Sequence, residues 1–341
     1  MGGQGLATQK TNTIAQEFNT LIKNEAKRDK MIKTAPIFVL VALISLFTIT
    51  TPGFFSVANF FTLLTQLAVP LIIALGITYV VLVGSIDLSV DGVIGLTSAV
   101  VSLLVLNSKT QMALGVMAIP VVLGVGALCG LVTGVLSVKG KIPSFMVSFG
   151  MLSITTGLAI VSYGAVPAMV SDSVIRGLSL SKIGPLPQYV YVSVVVFIVA
   201  YIIQEKTAFG KYMFAIGENE EFCRMSGINV SRIKILVFVW SGMLMSIAGI
   251  IGTAQIGRGD VAVGTGQLFR GLSAVVLGGT ALTGGKGGVL NTLLGALIIV
   301  VLNNGLVFMG VNPYFKDAIV GAVLIVAVIL SLKHDSKLIT K

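Results

Sequence analysis

Two aspartates stand in an otherwise uncharged stretch, Gly84-Ser85-Ile86-Asp87-Leu88-Ser89-Val90-Asp91-Gly92, between two apolar runs. A carboxylate close to a membrane is costly and marks a functional position by default. It can bind a proton or cation, or take part in a gate. The structural alternative is that Asp87 or Ser89 caps the next helix by accepting its free backbone N–H groups.

A second motif is Gly278-Gly279-Thr280-Ala281-Leu282-Thr283-Gly284-Gly285-Lys286-Gly287-Gly288. A phosphate loop needs Gly, four residues, Gly-Lys and then Ser or Thr after a strand. Here Thr280 takes the first Gly position and Gly287 follows Lys286, so the chain shows no ATP site of its own. The stretch reads as a tight glycine turn on the cytoplasmic side, where two helices approach. Leu82-Val83-Gly84-Ser85 resembles Leu277-Gly278-Gly279-Thr280, a short hint of an internal repeat.

The third feature lies in the loop 205–233, at Gly217-Glu218-Asn219-Glu220-Glu221-Phe222-Cys223-Arg224-Met225-Ser226-Gly227-Ile228. Acidic residues at the front and Gly227 at the back give the charge order and stop signal of a short helix, expected over 218–226. Phe222 and Met225 share a face, three residues apart, beside the more polar Glu218 and Glu221. Solubility alone does not require those apolar groups. The helix either docks a soluble partner or rests on lipid.

Other chemistry is thin. His334 is the one histidine and lies in the C-terminal tail, and the two cysteines, Cys129 and Cys223, sit in unlike surroundings. No disulfide framework, metal site or cofactor site is readable. An intramembrane enzyme is disfavoured, because no nucleophile–base pair is recognisable and the apolar runs hold no histidine.

The elements that must carry these motifs follow from composition. Of 341 residues, 55% are hydrophobic and 11% charged, with mean hydropathy +1.00. Soluble domains carry about 25% charged residues. Too little polar sequence remains to cover a soluble particle, and long unbroken apolar runs exclude an outer-membrane barrel. The fold class is an all-α polytopic membrane protein. The apolar runs are 36–51, 60–83, 92–106, 112–137, 143–162, 187–204, 234–254, 268–283, 289–308 and 316–332, giving about ten transmembrane helices. Several fall short of the ~20 residues a perpendicular helix needs. The 92–106 run is the weakest and suits a broken or partly re-entrant helix. Pro70 and Pro120 fall inside runs and should bend or break them. Gly126, Gly130 and Gly134 repeat every four residues, which suits close helix packing or a sliding surface.

With both termini inside, the inner loops hold 17 lysines and arginines and the outer loops 6. That split supports an N-in, C-in arrangement. The net charge of +10 is then loop charge rather than a nucleic-acid footprint. Residues 1–35 form a cytoplasmic N-terminal amphipathic segment, without a visible cleavable signal. A permease domain spans 36–332, with its coupling segment at 205–233, and a cytoplasmic tail covers 333–341.

Taken together, these segments resemble the permease subunit of a sugar-type ABC importer, the family of ribose and galactose permeases. Gly-x-x-Asp-Leu-Ser at 84–89 is similar to that family's loop after the second span, and 209–242 to its coupling region. Segment 275–288 resembles its second glycine loop, and Asn303-Asn304-Gly305-Leu306 with Gly310-Val311-Asn312-Pro313-Tyr314 its last two spans. The family usually has glycine where Asp91 stands, and an acidic Glu-Leu-Asp where Leu268-Phe269-Arg270 stands. It usually has Gly-Asn-Pro-Glu-Ala-Ala where this chain has Glu218-Asn219-Glu220-Glu221-Phe222-Cys223.

The resemblance implies a homodimeric pore in a bacterial inner membrane, two cytoplasmic ATP-binding subunits and an external solute-binding protein. Glu218, Glu221, Phe222, Met225 and Gly227 would couple to the ATPase. Gly84, Asp87, Ser89, Gly279, Gly284, Gly285 and Lys286 would form the cytoplasmic glycine loops or gate. Gln66, Gln255, Asn303 and Asn304 are candidates for the translocation path, or else for hydrogen bonds between helices. Asp172, Arg176, Arg258 and Asp260 carry charges of both signs that suit docking of the binding protein. The rivals are an ion-coupled secondary transporter using Asp87 or Asp91, and a nucleoside or amino-acid permease of the same superfamily.

Overall fold

The computed structural model describes residues 34–110 and 112–312, together with residues 315, 318–322 and 325. The amphipathic segment (but for its last two residues), the tail with His334, and most of the 316–332 run lie outside the described residues. The helices, in chain order, are α1 (Thr34–Thr50), α2 (Val57–Leu82), α3 (Val90–Leu104), α4 (Ala118–Lys139), α5 (Ser144–Tyr163) and α6 (Ser173–Leu180). After them come α7 (Gln188–Lys206), α8 (Ala208–Glu218), α9 (Glu220–Met225), α10 (Val230–Ile256), α11 (Gln267–Leu277) and α12 (Val289–Phe308). Six are long and apolar enough to cross a membrane, while α1, α3 and α11 are shorter apolar helices. The fold is all-α and polytopic.

The core is built on α2 and α10. α2 is capped by Ser56, whose hydroxyl accepts the Asn59 N–H, and from Leu71 to Leu82 every residue is buried. A helix apolar on all sides belongs in the centre of a bundle. α10 packs against α4, α2 and α3. Gly126 and Gly130 let α4 lie on α10, since a Cβ at either would collide with the carbonyl of Gly242 or Phe238. The glycine repeat therefore serves tight packing.

The prolines act more gently than the sequence suggests. α2 continues through Pro70. Pro120 falls in the first turn of α4, where its missing N–H has no intrahelical partner to lose.

Two long helices are each followed by an irregular segment and a short helix. α2 leads through 83–89 into the 15-residue α3, and α10 leads through β4 (Arg258–Gly259) and the Val261–Val263 turn into the 11-residue α11. The 268–283 run is thus helical only to Leu277, and Gly278-Gly279 open the irregular stretch that follows. The extended segment before α3 climbs along α5. Ile86 N–H donates to the Ser144 hydroxyl (3.0 Å) and Leu88 N–H to Ser148 (2.9 Å). Gly92 then abuts Leu152 and Thr155. From Ser144 to Thr155 is about 16 Å of helix at ~1.5 Å per residue. α3 therefore begins well along α5 rather than level with its first turn. Irregular backbone inside an apolar bundle needs protein partners, and the two serine hydroxyls supply them.

The loops at the other end of the bundle hold β1 (Ala168–Met169), paired antiparallel with β4, and β2 (Lys182–Ile183), paired antiparallel with β3 (Leu186–Pro187).

Candidate coupling site and membrane-level junction

The short helix α9 is built from local signals. Asn219 is extended, and its side chain accepts the Phe222 N–H at 2.9 Å. Glu220 and Glu221 lie in the first turn, Arg224 in the last. The end is a Schellman motif: Gly227 takes φ +79°, its N–H reaches the Arg224 carbonyl, and the Ile228 N–H reaches Cys223. Glu218 is not on this helix. It closes α8, because the Asn219 cap breaks the backbone between them.

Glu220 ties α9 to the bundle through an ion pair with Lys234 on α10, and it also pairs with Arg224 on its own helix. Partial burial would raise the Glu220 carboxyl, but hydrogen bonds from Lys234 and Arg224 outweigh it and hold the pKa below the ordinary value. Cys223 points inward and is buried, whereas Phe222 is 62% and Met225 75% exposed. Glu218 and Glu221 are exposed as well. α10 starts at Val230, ahead of its apolar run, because Asn229 accepts the Arg232 N–H at 3.0 Å.

Behind α9 the glycine motifs meet. The Gly285 N–H donates to the Leu82 carbonyl at 3.0 Å. Gly84 and Gly284 touch, and a Cβ on Gly217 would collide with the Leu82 carbonyl and the Gly285 amide. The end of α2, the end of α8 and the loop after α11 thus form one backbone knot. Gly279 and Gly284 both take positive φ, and the Lys286 carbonyl closes the turn by accepting the Ala281 N–H while its side chain is exposed. Gln204, near the end of α7, accepts the Val289 N–H at 2.8 Å and anchors the start of α12. Sequence reading passed over Gln204, though an amide near the end of an apolar run is a visible signal.

Asp87 and Ser89 depart from expectation. Ser89 holds the N-cap position of α3 but makes no side-chain cap bond. Its hydroxyl and N–H both go to Asp87 Oδ1, at 2.5 and 2.8 Å. Asp87 thereby folds the extended segment on itself rather than capping the helix. Asp91 does the capping, and for a different helix. Its carboxylate accepts the N–H of Gly266 (2.9 Å) and Leu268 (2.6 Å), at the start of α11. Two short apolar helices, α3 and α11, begin together there, joined by one carboxylate. Asp91→Ala would leave two amides unpaired, at about 1–3 kcal/mol each. A clearly lowered melting temperature is expected, with a smaller drop for Asp91→Asn, which keeps one acceptor. Equal melting of all three proteins would refute the cap.

The polar path candidates do not converge on one point. Gln66 is exposed, and Gln255 is exposed at the end of α10. The Asn303 amide donates to Ile299 of its own helix at 2.9 Å. Asn304 is buried, and its Oδ1 finds no partner among the described residues.

A family profile described as branched-chain amino acid transport system / permease component matches residues 59–328. The chain belongs to this family of transport permeases. Similar relatives include the ribose import permease protein of Escherichia coli K12, 35% identical over 303 residues, which are 88% of this chain and 93% of that protein. The ribose import permease protein of Bacillus subtilis 168 is 33% identical, over 90% of this chain and 94% of its own. The galactose/methyl galactoside import permease protein of Haemophilus influenzae is 32% identical, over 94% of this chain and 100% of its own. No solved structure matches.

In this permease the charges expected on the outer face are partly structural. Asp172 caps α6, accepting the Val174 and Ile175 N–H groups. Arg176 donates to the Ala254 carbonyl at 2.5 Å. Asp260 accepts the Ala262 N–H and pairs with Arg258 at 3.1 Å. Arg258 itself remains half exposed.

Proposed function

We propose that this permease is the membrane-spanning subunit of an ATP-binding-cassette importer for an uncharged monosaccharide or related polyol, in a bacterial plasma membrane. The observation that carries the coupling is that α9 presents Phe222 and Met225 outward from a rigid base, beside the backbone knot that joins the ends of α2 and α8 to the loop between α11 and α12. Such a helix can pass motion from a soluble ATPase into α2, α11 and α12, which a flexible loop cannot. The chain supplies no ATP site, so hydrolysis belongs to two cytoplasmic partner subunits. A second copy of this chain completes the pore. An external binding protein delivers the solute, with Arg258 the most available of the outer charges. The named relatives import ribose or galactosides, which supports a sugar.

The test is uptake into proteoliposomes holding the permease, its ATP-binding subunits and its binding protein. ATP-dependent entry of labelled ribose or galactose is expected. Entry of leucine but not sugar would transfer the reading to the amino-acid transport that the family description names. Entry driven by a proton or sodium gradient without ATP would favour the secondary transporter.

We further propose ten spans with both termini in the cytoplasm, on the inner excess of lysine and arginine. In a background lacking Cys129 and Cys223, an impermeant thiol reagent added to intact cells should label a cysteine at Ser173 and not one at Ser336. The reverse pattern would invert the topology.

A further inference from the structure

A cavity of about 220 Å³ opens between α2, α3, α10, the Val261–Val263 turn and α11. Val69, Ile73 and Ile94 give it apolar walls. Its polar groups are two carboxamides, Gln255 from the end of α10 and Gln267 from the first residue of α11. Gln267 is held at the start of its helix, where its amide donates to the Val263 carbonyl at 3.4 Å. Asp91 accepts the N–H groups of Gly266 and Leu268, the residues on either side of Gln267, and so fixes where that side chain starts. Among the described residues, no charged side chain lines the cavity.

That combination suits one class of ligand. A carboxamide donates and accepts, as a hydroxyl does. Aliphatic walls suit the C–H faces of a sugar ring. An ion entering here would lose its hydration without a counter-charge, so the occupant is neutral. The volume lies below the ~300–1,000 Å³ of drug-sized pockets, which limits the occupant to a small molecule. Two neutral contacts hold weakly, which suits passage.

We propose that this cavity is a resting site for one uncharged sugar or polyol molecule during import, with Gln255 and Gln267 taking its hydroxyls. This rests on the importer reading and adds a place and a pair of contacts to it.

Ala262 lines the same cavity and is exposed, so it accepts substitution without disturbing the core. In the proteoliposome assay, Ala262→Trp should cut uptake of D-ribose or D-galactose at least about tenfold by filling the space. Gln255→Leu with Gln267→Leu, which removes both polar contacts to the sugar hydroxyls, should lower uptake about tenfold. Both variants should copurify with the ATP-binding subunits as the unmodified chain does. With Ala262→Cys in the cysteine-free background, the imported sugar should slow alkylation by N-ethylmaleimide, and the glutamine changes should abolish that protection. If the unmodified permease imports sugar while the tryptophan and leucine variants import it equally well, this inference falls and the importer reading stands. If the unmodified permease imports no uncharged sugar, the importer reading falls and takes this site with it.

Discussion

A permease carrying Phe222→Ala and Met225→Ala will insert into the membrane and keep its fold, but it will lose its ATP-binding subunits. Both side chains are largely exposed, so their truncation opens no cavity in the subunit. α9 keeps its Asn219 cap, its Schellman end and the Glu220 ion pairs, none of which involves either side chain. What disappears is apolar surface that only a partner can bury. Aromatic anchors at interfaces commonly cost on the order of 2 kcal/mol or more on truncation. Each ~1.4 kcal/mol is a tenfold change in binding, so copurification should fall at least ~10-fold and ATP-driven uptake with it. Copurification and uptake at the level of the unmodified protein would make α9 a passive loop and move the docking site elsewhere.

The Glu220 ties add a pH sign to the same measurement. Its pKa is held below the ordinary value in the folded protein. Its contribution is therefore present above the ordinary carboxylate pKa and is lost as pH falls through the lowered one. The attachment of α9 to α10 should loosen on acidification and be intact at neutral pH.

Local signals explain why α9 was legible in the chain. Acidic residues in a first turn and a glycine one place past the end act over neighbouring residues, and the structure uses both. The same locality misplaced Glu218, because charge order alone does not reveal that Asn219 is the stronger cap. Apolar runs located the helices for a similar reason: lipid penalises every unpaired backbone group, so long hydrophobic stretches must be helical. Hydropathy could not show that α11 stops at Leu277. The last six positions of the run, 278–283, still read as apolar, but Gly278-Gly279 end the helix and lead into the Gly284-Gly285 turn that the knot uses.

Contacts between distant segments were the illegible part. Asp91 and Leu268 are far apart in the sequence, yet one caps the other's helix. Both positions depart from the pattern the resembling family usually shows, and the structure puts the two departures in contact. An acidic group absent from the start of α11 is supplied by α3 instead. The outer aspartates carried a readable signal of another kind. Asp172 directly precedes a helix, and an aspartate there is more economically a cap than a docking charge.

The backbone knot makes the sharpest demand on a single residue. Gly217 lies in the last turn of α8, just before α9, and the place of its missing Cβ is already filled by the Leu82 carbonyl and the Gly285 amide. Main-chain atoms cannot rotate aside as a side-chain tip can. Gly217→Ala must therefore separate α8 from the ends of α2 and α11, breaking the Gly285–Leu82 hydrogen bond or tilting α9. Overpacking of this kind costs about 1–3 kcal/mol, more where neither partner can move. Gly227→Ala is the control ten residues on. It takes a left-handed φ of +79° with open space around it, so its cost is the ~1–2 kcal/mol of placing alanine there. The two substitutions should separate by readout as well as by size. Gly227→Ala lowers the melting temperature modestly and leaves uptake largely intact, because α9 keeps its seat. Gly217→Ala abolishes uptake even where the protein is recovered folded with its ATP-binding subunits attached, because α8, which carries α9, is then no longer seated against α2. Normal ATP-driven uptake by Gly217→Ala would show that force enters the membrane by some route other than this contact.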